Sequence, residues 1–357
     1  MAAQNLAALV LAQAYTNRTE FSSQLNRSRV VLTTLKTVRM AGQNVAWSTR
    51  MAGATAADHA EGHTAQAASF QTDKQVPCLL NAGLYECNYE ITDLAESGAA
   101  NNDTLELDFG SRFMWEQNTT DCVMELAQKL NSDFYVGTGT GSNGPTIVGC
   151  ATALRDDNTY ATVDRTQAVN APFRSNVFTS AVPTAITHGD IRKDLALIAK
   201  RSGVGRPDIA FAGSLTLVAI KNSFDSSKEY SVPTTWSGPR QQMVFDGSVP
   251  AVVFDGCLFI EDKDCPEGEI NYINSRFTWF EVLPKVMNLK DVGNDKVREL
   301  LRRIDSISQI PGATPITGFA FHELARNGSS DRNMVSCQVQ VRFARPNSCG
   351  RRTNILY

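Results

Sequence analysis

The segment from residue 41 to residue 92 constrains this chain more than any other. Val45, Trp47, Thr49 and Met51 alternate with other residues, and so do Tyr85, Cys87, Tyr89 and Ile91. That two-residue period belongs to strands with one apolar face. Between the two runs, Gly53 to Ser69 is almost entirely small or polar and has too little apolar surface to bury a core. A structureless stretch of that length is uncommon inside a compact domain, where it marks a functional excursion or disorder. Two strands closing on such a tip make a long hairpin that projects from the body. A two-stranded hairpin is marginal alone in water, so something outside the parent domain has to hold it. Another copy of the same chain is the simplest candidate, and His59, Glu61, His63, Gln66, Phe70 and Lys74 are the tip residues expected to touch it.

At 357 residues the chain suffices for two medium domains or one large domain with excursions. Apolar residues make up 42% and charged residues 20%, which is a globular composition. The net charge of −3 argues against a protein whose main task is gripping nucleic acid, since that task needs a Lys/Arg excess. Arg192-Lys193 and Lys200-Arg201 read as the solvated face of one helix. No run of about 20 apolar residues is present to span a membrane. Leu6 to Ala12 imitates a signal peptide but has no Lys or Arg ahead of it, and it reads as an amphipathic arm. Eight cysteines in a large chain without an export signal, and without paired C-x-x-C knuckles, read as reduced, mostly buried thiols.

Residues 1–40 form the arm, with a short helix near Leu6–Leu11 and a strand expected at Val30–Leu35. The clearest helix runs over residues 111–134, where Trp115, Thr119, Cys122, Leu126 and Leu130 share a stripe and Glu116, Asp121, Glu125 and Lys129 lie off it. From 151 to 284 strands and helices alternate. Thr187 and Asp190 have capping-box spacing at one helix start and Gly203 can end that helix. Pro207–Gly213 reads as a strand, and Ser214 is expected to cap a helix through Phe224. Strand-like stretches at Pro315–Leu324 and Val335–Ala344 follow. The fold class is α+β.

Several motifs tempt and fail. Gly137 to Gly144 contains G-x-G-x-x-G, but a helix precedes it and Pro145 follows, the reverse of a dinucleotide-binding turn. It reads as a flexible domain junction. His322-Glu323 lacks the second histidine of a zinc-protease helix. His59 and His63 have ligand spacing but sit in a glycine- and alanine-rich tip. Glu261 to Glu269 is acidic without the register of a calcium loop, and reads as a turn between strands. There is no G-x-S-x-G elbow. No catalytic, metal or cofactor site emerges, and an enzyme is not expected.

Three features in order resemble the major capsid proteins of tailed phages, the fold first described for phage Hong Kong 97. A long hairpin ending at Tyr89-Glu-Ile-Thr-Asp93 runs into the helix at 111–134, as the family's extended loop returns into its spine helix. Phe134-Tyr-Val-Gly-Thr-Gly139 is similar to the glycine-rich exit from that helix. Val244-Phe-Asp-Gly247, Pro250 to Val253, Cys265-Pro266, Gly268 and Ile270 to Asn274 resemble the end of the family's axial domain. The resemblance implies an N-terminal arm at 1–40, an extended loop at 41–92 and a peripheral domain with the spine helix at 93–150. It further implies an axial domain at 151–284 and a return to the peripheral domain with the C-terminal strands at 285–357. It implies a structural subunit that self-assembles through hexamers and pentamers into the icosahedral shell around a double-stranded DNA genome. A separate scaffolding protein, a portal and decoration proteins are the implied partners, with a virion location after assembly in the host cytoplasm. Lys74 lies near the loop tip, but nothing else supports the Lys–Asn crosslink some relatives make. The alternatives are an encapsulin-like nanocompartment shell and, further off, a hydrolase with an unrecognised site.

Overall fold

The computed structural model describes residues 30–52, 74–93, 109–225, 235–237, 242–244, 251–283, 319–325 and 328–357. The first element is a helix, α1 (Val30–Thr34), where the sequence points to a strand. Tertiary contact overrides the β-branched propensity here. Val31, Leu32 and Leu35 are buried at helical spacing, and the Val31 N–H donates to Asn131 Oδ1 on the long helix at 3.0 Å. The Thr33 and Thr34 hydroxyls donate back to the Val30 carbonyl, at 2.9 and 2.7 Å. Strands β1 (Thr37–Arg39), β2 (Asn44–Ala52), β3 (Lys74–Asn81) and β4 (Gly83–Thr92) follow, and then the long helix α2 (Phe109–Val136). Helix α3 (Cys150–Ala153) and the small hairpin β5 (Thr159–Tyr160) and β6 (Val163–Asp164) lead to β7 (Asn176–Ala185). Next come α4 (His188–Ser202), β8 (Ile209–Ala212), α5 (Ser214–Asp225), β9 (Thr235–Ser237), β10 (Gln242–Val244), β11 (Ala251–Phe254) and β12 (Cys257–Glu261). The chain ends with β13 (Ile270–Ile273), β14 (Thr278–Val282), β15 (Phe319–Glu323), β16 (Ser330–Phe343) and β17 (Gly350–Leu356).

Two sheets organise the body. The first is built on β16, which pairs with β4 along 330–339, with β15 at 333–337 and with β14 at 339–343, while β1 adds in parallel to β14. The second has the order β11-β12-β8-β13-β17-β7. Strands β8, β11, β12 and β13 alternate between two cores. Ala210, Ala212, Cys257, Phe259, Ile270 and Tyr272 face the cluster holding Leu195, Ile198, Leu217 and Ile220 of α4 and α5. Ile209, Phe211, Leu258, Ile260 and Ile273 face the other cluster, with Leu130 and Phe134 of α2. A sheet covered on both faces needs apolar residues at consecutive positions, which is why 209–212 and 270–273 are buried throughout.

The last strand departs from the expected return to one peripheral unit. β17 lies between β13 and β7 in the second sheet, while β14 leaves the 151–284 stretch to join the first. Arg352 on β17 forks onto Asp194 of α4 at 2.6 and 2.7 Å, which ties the C-terminus to that helix. Burial holds the Asp194 carboxyl above its ordinary value even so, with Arg352 pulling the other way.

Caps follow the sequence in one helix and not in the other. Thr187 and Asp190 form a reciprocal capping box, and Gly203 ends α4 at φ 64°. At α5 the Glu267 carboxylate takes the free N–H groups of Leu215 and Thr216, at 3.1 and 3.0 Å, whereas the Ser214 hydroxyl donates to Glu261 at 2.6 Å. A carboxylate at a helix start also complements the helix dipole, so the cap comes from 52 residues away rather than from the adjacent serine.

Candidate assembly surface

The hairpin expected from residues 41–92 exists with a different returning strand. β2 pairs antiparallel with β3, from Asn44↔Asn81 to Ala52↔Lys74, while Tyr85–Ile91 lies in β4, inside the first sheet. Alternation alone cannot choose between two strands of equal period, and Pro77 hides the correct one. Proline has no N–H to give to a ladder and is confined to strand edges. β3 is such an edge: among the described residues β2 and β3 form a sheet of two strands only.

Val45, Met51, Cys78 and Leu80 turn one face of this ribbon to the core, and Asn44, Ala46, Ser48, Gln75, Pro77 and Leu79 are exposed on the other. Of the tip residues named above, His59, Glu61, His63, Gln66 and Phe70 lie outside the described residues. Lys74 opens β3, its backbone in register with Ala52.

The root of the ribbon is clamped to the body. The Arg342 guanidinium lies 4.7 Å from the ring centre of Trp47 on β2 and 5.0 Å from that of Trp279 on β14. Glu281 Oε1 fixes this sandwich, accepting from Arg342 Nη1 at 2.9 Å and from Trp279 Nε1 at 3.1 Å. A cation between two aromatic faces is worth about 1–2 kcal/mol when partly desolvated. Beside the clamp opens a cleft of about 700 Å³ bordered by Lys36, Arg39 and Arg276 as well as Arg342 and Glu281.

The second seat is the β5–β6 turn. Its two central residues, Ala161 and Thr162, both have positive φ (51° and 68°), as in the primed turns that usually require Asn or Gly. A β-branched residue there is strained. Strain of this kind persists where surrounding contacts over-determine it, and here the contacts belong to the ribbon. The Leu79 N–H donates to the Ala161 carbonyl at 3.1 Å, and the Thr162 hydroxyl lies 3.5 Å from the Pro77 carbonyl. Below the turn, Arg165 is fully buried and donates to the carbonyls of Ala153 and Thr152, at 2.8 and 2.9 Å, with its guanidinium over the Tyr160 ring. Burial lowers its pKa to about 10.

The decoy motifs resolve into structural parts. The glycine run is packed at its start, at Gly137, and exposed from residue 140 to residue 144. A side chain at Gly137 would run into the carbonyl oxygens of Asp133 and Ile147, and one at Gly149 into those of Asp133 and Phe134. His322 and Glu323 sit in strand β15, paired with Met334 and Asn333. The acidic turn between β12 and β13 spends its carboxylates internally: Asp262 and Asp264 accept from Asn131 Nδ2, Asp262 from Tyr135, and Glu269 from Arg351. All eight cysteines are free thiols, seven of them buried. Among the described residues no helix is long and apolar enough to cross a membrane.

No family model and no curated protein matches the sequence. Solved structures do match the fold. The capsid asymmetric unit of cyanophage A-1(L) superposes with a TM-score of 0.70 at 12% identity, over 95% of this chain and 96% of that one. The capsid of an empty GTA particle gives 0.56 at 10% identity over 95% and 94%, and the SrpI encapsulin of Synechococcus elongatus PCC 7942 gives 0.55 at 11% identity over 97% and 95%. Over 95% of its length this α+β chain has the fold of capsid-shell proteins.

Proposed function

We propose that the chain is the major capsid subunit of a tailed phage, a structural protein without catalytic activity that self-assembles into a closed shell. The ribbon carries this reading. It leaves its body with one exposed face and a strand edge that no described strand covers, yet its root is held by an arginine clamp and a strained turn. Unpaired edges invite pairing with another chain, and a neighbouring subunit supplies one at every position of a shell. On this reading residues 1–40 are the arm, the β2–β3 ribbon with its tip is the extended loop, and α2 with the β16 sheet makes the peripheral body. Residues 151–284, without β14 and with β17 added, make the axial body. The tip residues His59 to Lys74 contact the next subunit, and scaffold, portal and decoration proteins act around an assembly in the host cytoplasm that ends as the virion capsid.

The likeness to an encapsulin over 97% of the chain favours a second reading, a protein-filled compartment. Expression with its neighbouring genes, followed by electron microscopy of the particles and analysis of their contents, tests both. Shells that package DNA support the phage reading, and shells that hold a protein cargo support the compartment. Protein that stays monomeric under all conditions contradicts both.

A further inference from the structure

We propose that Cys87 and Cys122 are a disulfide site that staples the long helix to strand β4 once the protein meets an oxidising milieu. Cys87 Sγ on β4 lies 2.9 Å from Cys122 Sγ on α2, closer than two non-bonded sulfur atoms rest. Among the described residues no other two cysteine sulfurs lie within hydrogen-bonding reach. Bonding needs the sulfurs to close by about 0.9 Å to the ~2.05 Å of an S–S bond.

The surroundings hold the two thiols in place. One step along β4 toward the C-terminus, the Tyr89 hydroxyl meets Thr119 Oγ1 at 2.6 Å, and one step the other way the Tyr85 hydroxyl donates to Asp133 at 2.8 Å. The sulfur pair is therefore the middle of three strand-to-helix contacts, and neither backbone can swing away without breaking its neighbours. The thiols differ in access. Cys122 is buried, and burial followed by the adjacent Cys87 raises its pKa, whereas Cys87 is half-buried. Burial raises Cys78 and Cys337 as it raises Cys122, so the approach of the two sulfurs, and not acidity, singles out this pair. The thiolate is the reactive form.

The chemistry balances with a small disulfide such as oxidised glutathione as the oxidant. The Cys87 thiolate attacks one glutathione sulfur, breaking its S–S bond and releasing one glutathione thiolate. Cys122, losing its proton, then attacks Cys87 Sγ and expels the second. Two protein thiols become one disulfide and one glutathione disulfide becomes two thiols. In a reducing cytoplasm the pair stays open. The staple rests on the packing of α2 against β4 and is independent of the shell reading.

The test uses the full-length protein, incubated with reduced or with oxidised glutathione, blocked with N-ethylmaleimide and mapped without reduction. The expected result is one linked peptide pair joining Cys87 to Cys122, the other six cysteines alkylated after unfolding, and a higher melting temperature for the oxidised form. Cys87→Ser should abolish both the linked pair and the melting shift. Eight alkylated cysteines after oxidation, or linkage of Cys87 to a different residue, would overturn the proposal. Peptide mapping of the unsubstituted protein decides between these outcomes even if the variant fails to fold.

Discussion

The six-stranded sheet and the β2–β3 ribbon are built from similar residues and are stabilised in opposite ways. In the sheet every strand between the edges β11 and β7 has two partners, and β8, β11, β12 and β13 feed alternate residues into two separate cores. The ribbon has two strands, one covered face and an exposed one, and it keeps its angle through contacts at its root. The first is stable by what it encloses. The second is placed by a few side chains so that its exposed part is available to something else. A strand face reads the same in both cases, so burial on the second face and the open edge, more than strand propensity, separate a core from an interface.

The largest effect is expected where the long helix meets both sheets. Phe134 is fully buried and packs its ring against Tyr135, Phe211, Phe280 and Phe343, joining the long helix to both sheets. Phe134→Ala is expected to cost about 3–5 kcal/mol, the range for a large aromatic lost from a core. Urea unfolding should show the whole protein losing stability in one step. A loss confined to the ribbon would mean the two regions do not share this core.

A smaller and more selective effect is expected at the clamp. Arg342→Ala removes the guanidinium between Trp47 and Trp279 and leaves Glu281 without its cation, at a cost of about 2 kcal/mol. The body should keep its fold while limited proteolysis speeds up within 44–81 and assembly weakens. Equal cleavage rates in the two proteins would show that the clamp does not set the ribbon's angle. The smallest effect is expected at the strained turn. Thr162→Gly relieves the positive φ and loses the hydroxyl's contacts with the Pro77 and Ala161 carbonyls. Because the added backbone freedom of glycine opposes the relief, the net change should be about 0.5 kcal/mol in favour of folding. A clear destabilisation would mean that the hydroxyl contacts outweigh the backbone strain.

Much of the body is legible in the sequence because its signals are local. The stripe Thr119, Cys122, Leu126 and Leu130 marks the long helix, and Thr187 with Asp190 marks a cap that the side chains form as expected. What is not legible depends on residues far apart. Val30–Thr34 looks like a strand because its helix is held by Asn131, 100 positions away. The cap of α5 comes from Glu267. The hairpin is visible in the pattern but with the wrong returning strand, since Tyr85, Cys87, Tyr89 and Ile91 alternate as well as any ribbon strand and only their pairing with β16 tells them apart. Arg342 carries no local signal, because its two tryptophans sit on β2 and β14. Gly137 reads as the start of a flexible run, whereas it serves close backbone packing.

The reading stands or falls on the segment between Ala52 and Lys74, which is proposed to serve neighbouring subunits and not the body that carries the ribbon. Deleting Ala54–Thr72 tests it most directly. Because Ala52 pairs with Lys74, the deletion leaves Gly53-Asp73 as a two-residue connection of the kind that closes tight hairpins. The account predicts a soluble protein with the urea midpoint of the intact chain and no closed shells by electron microscopy. Normal shells from the shortened protein would contradict it.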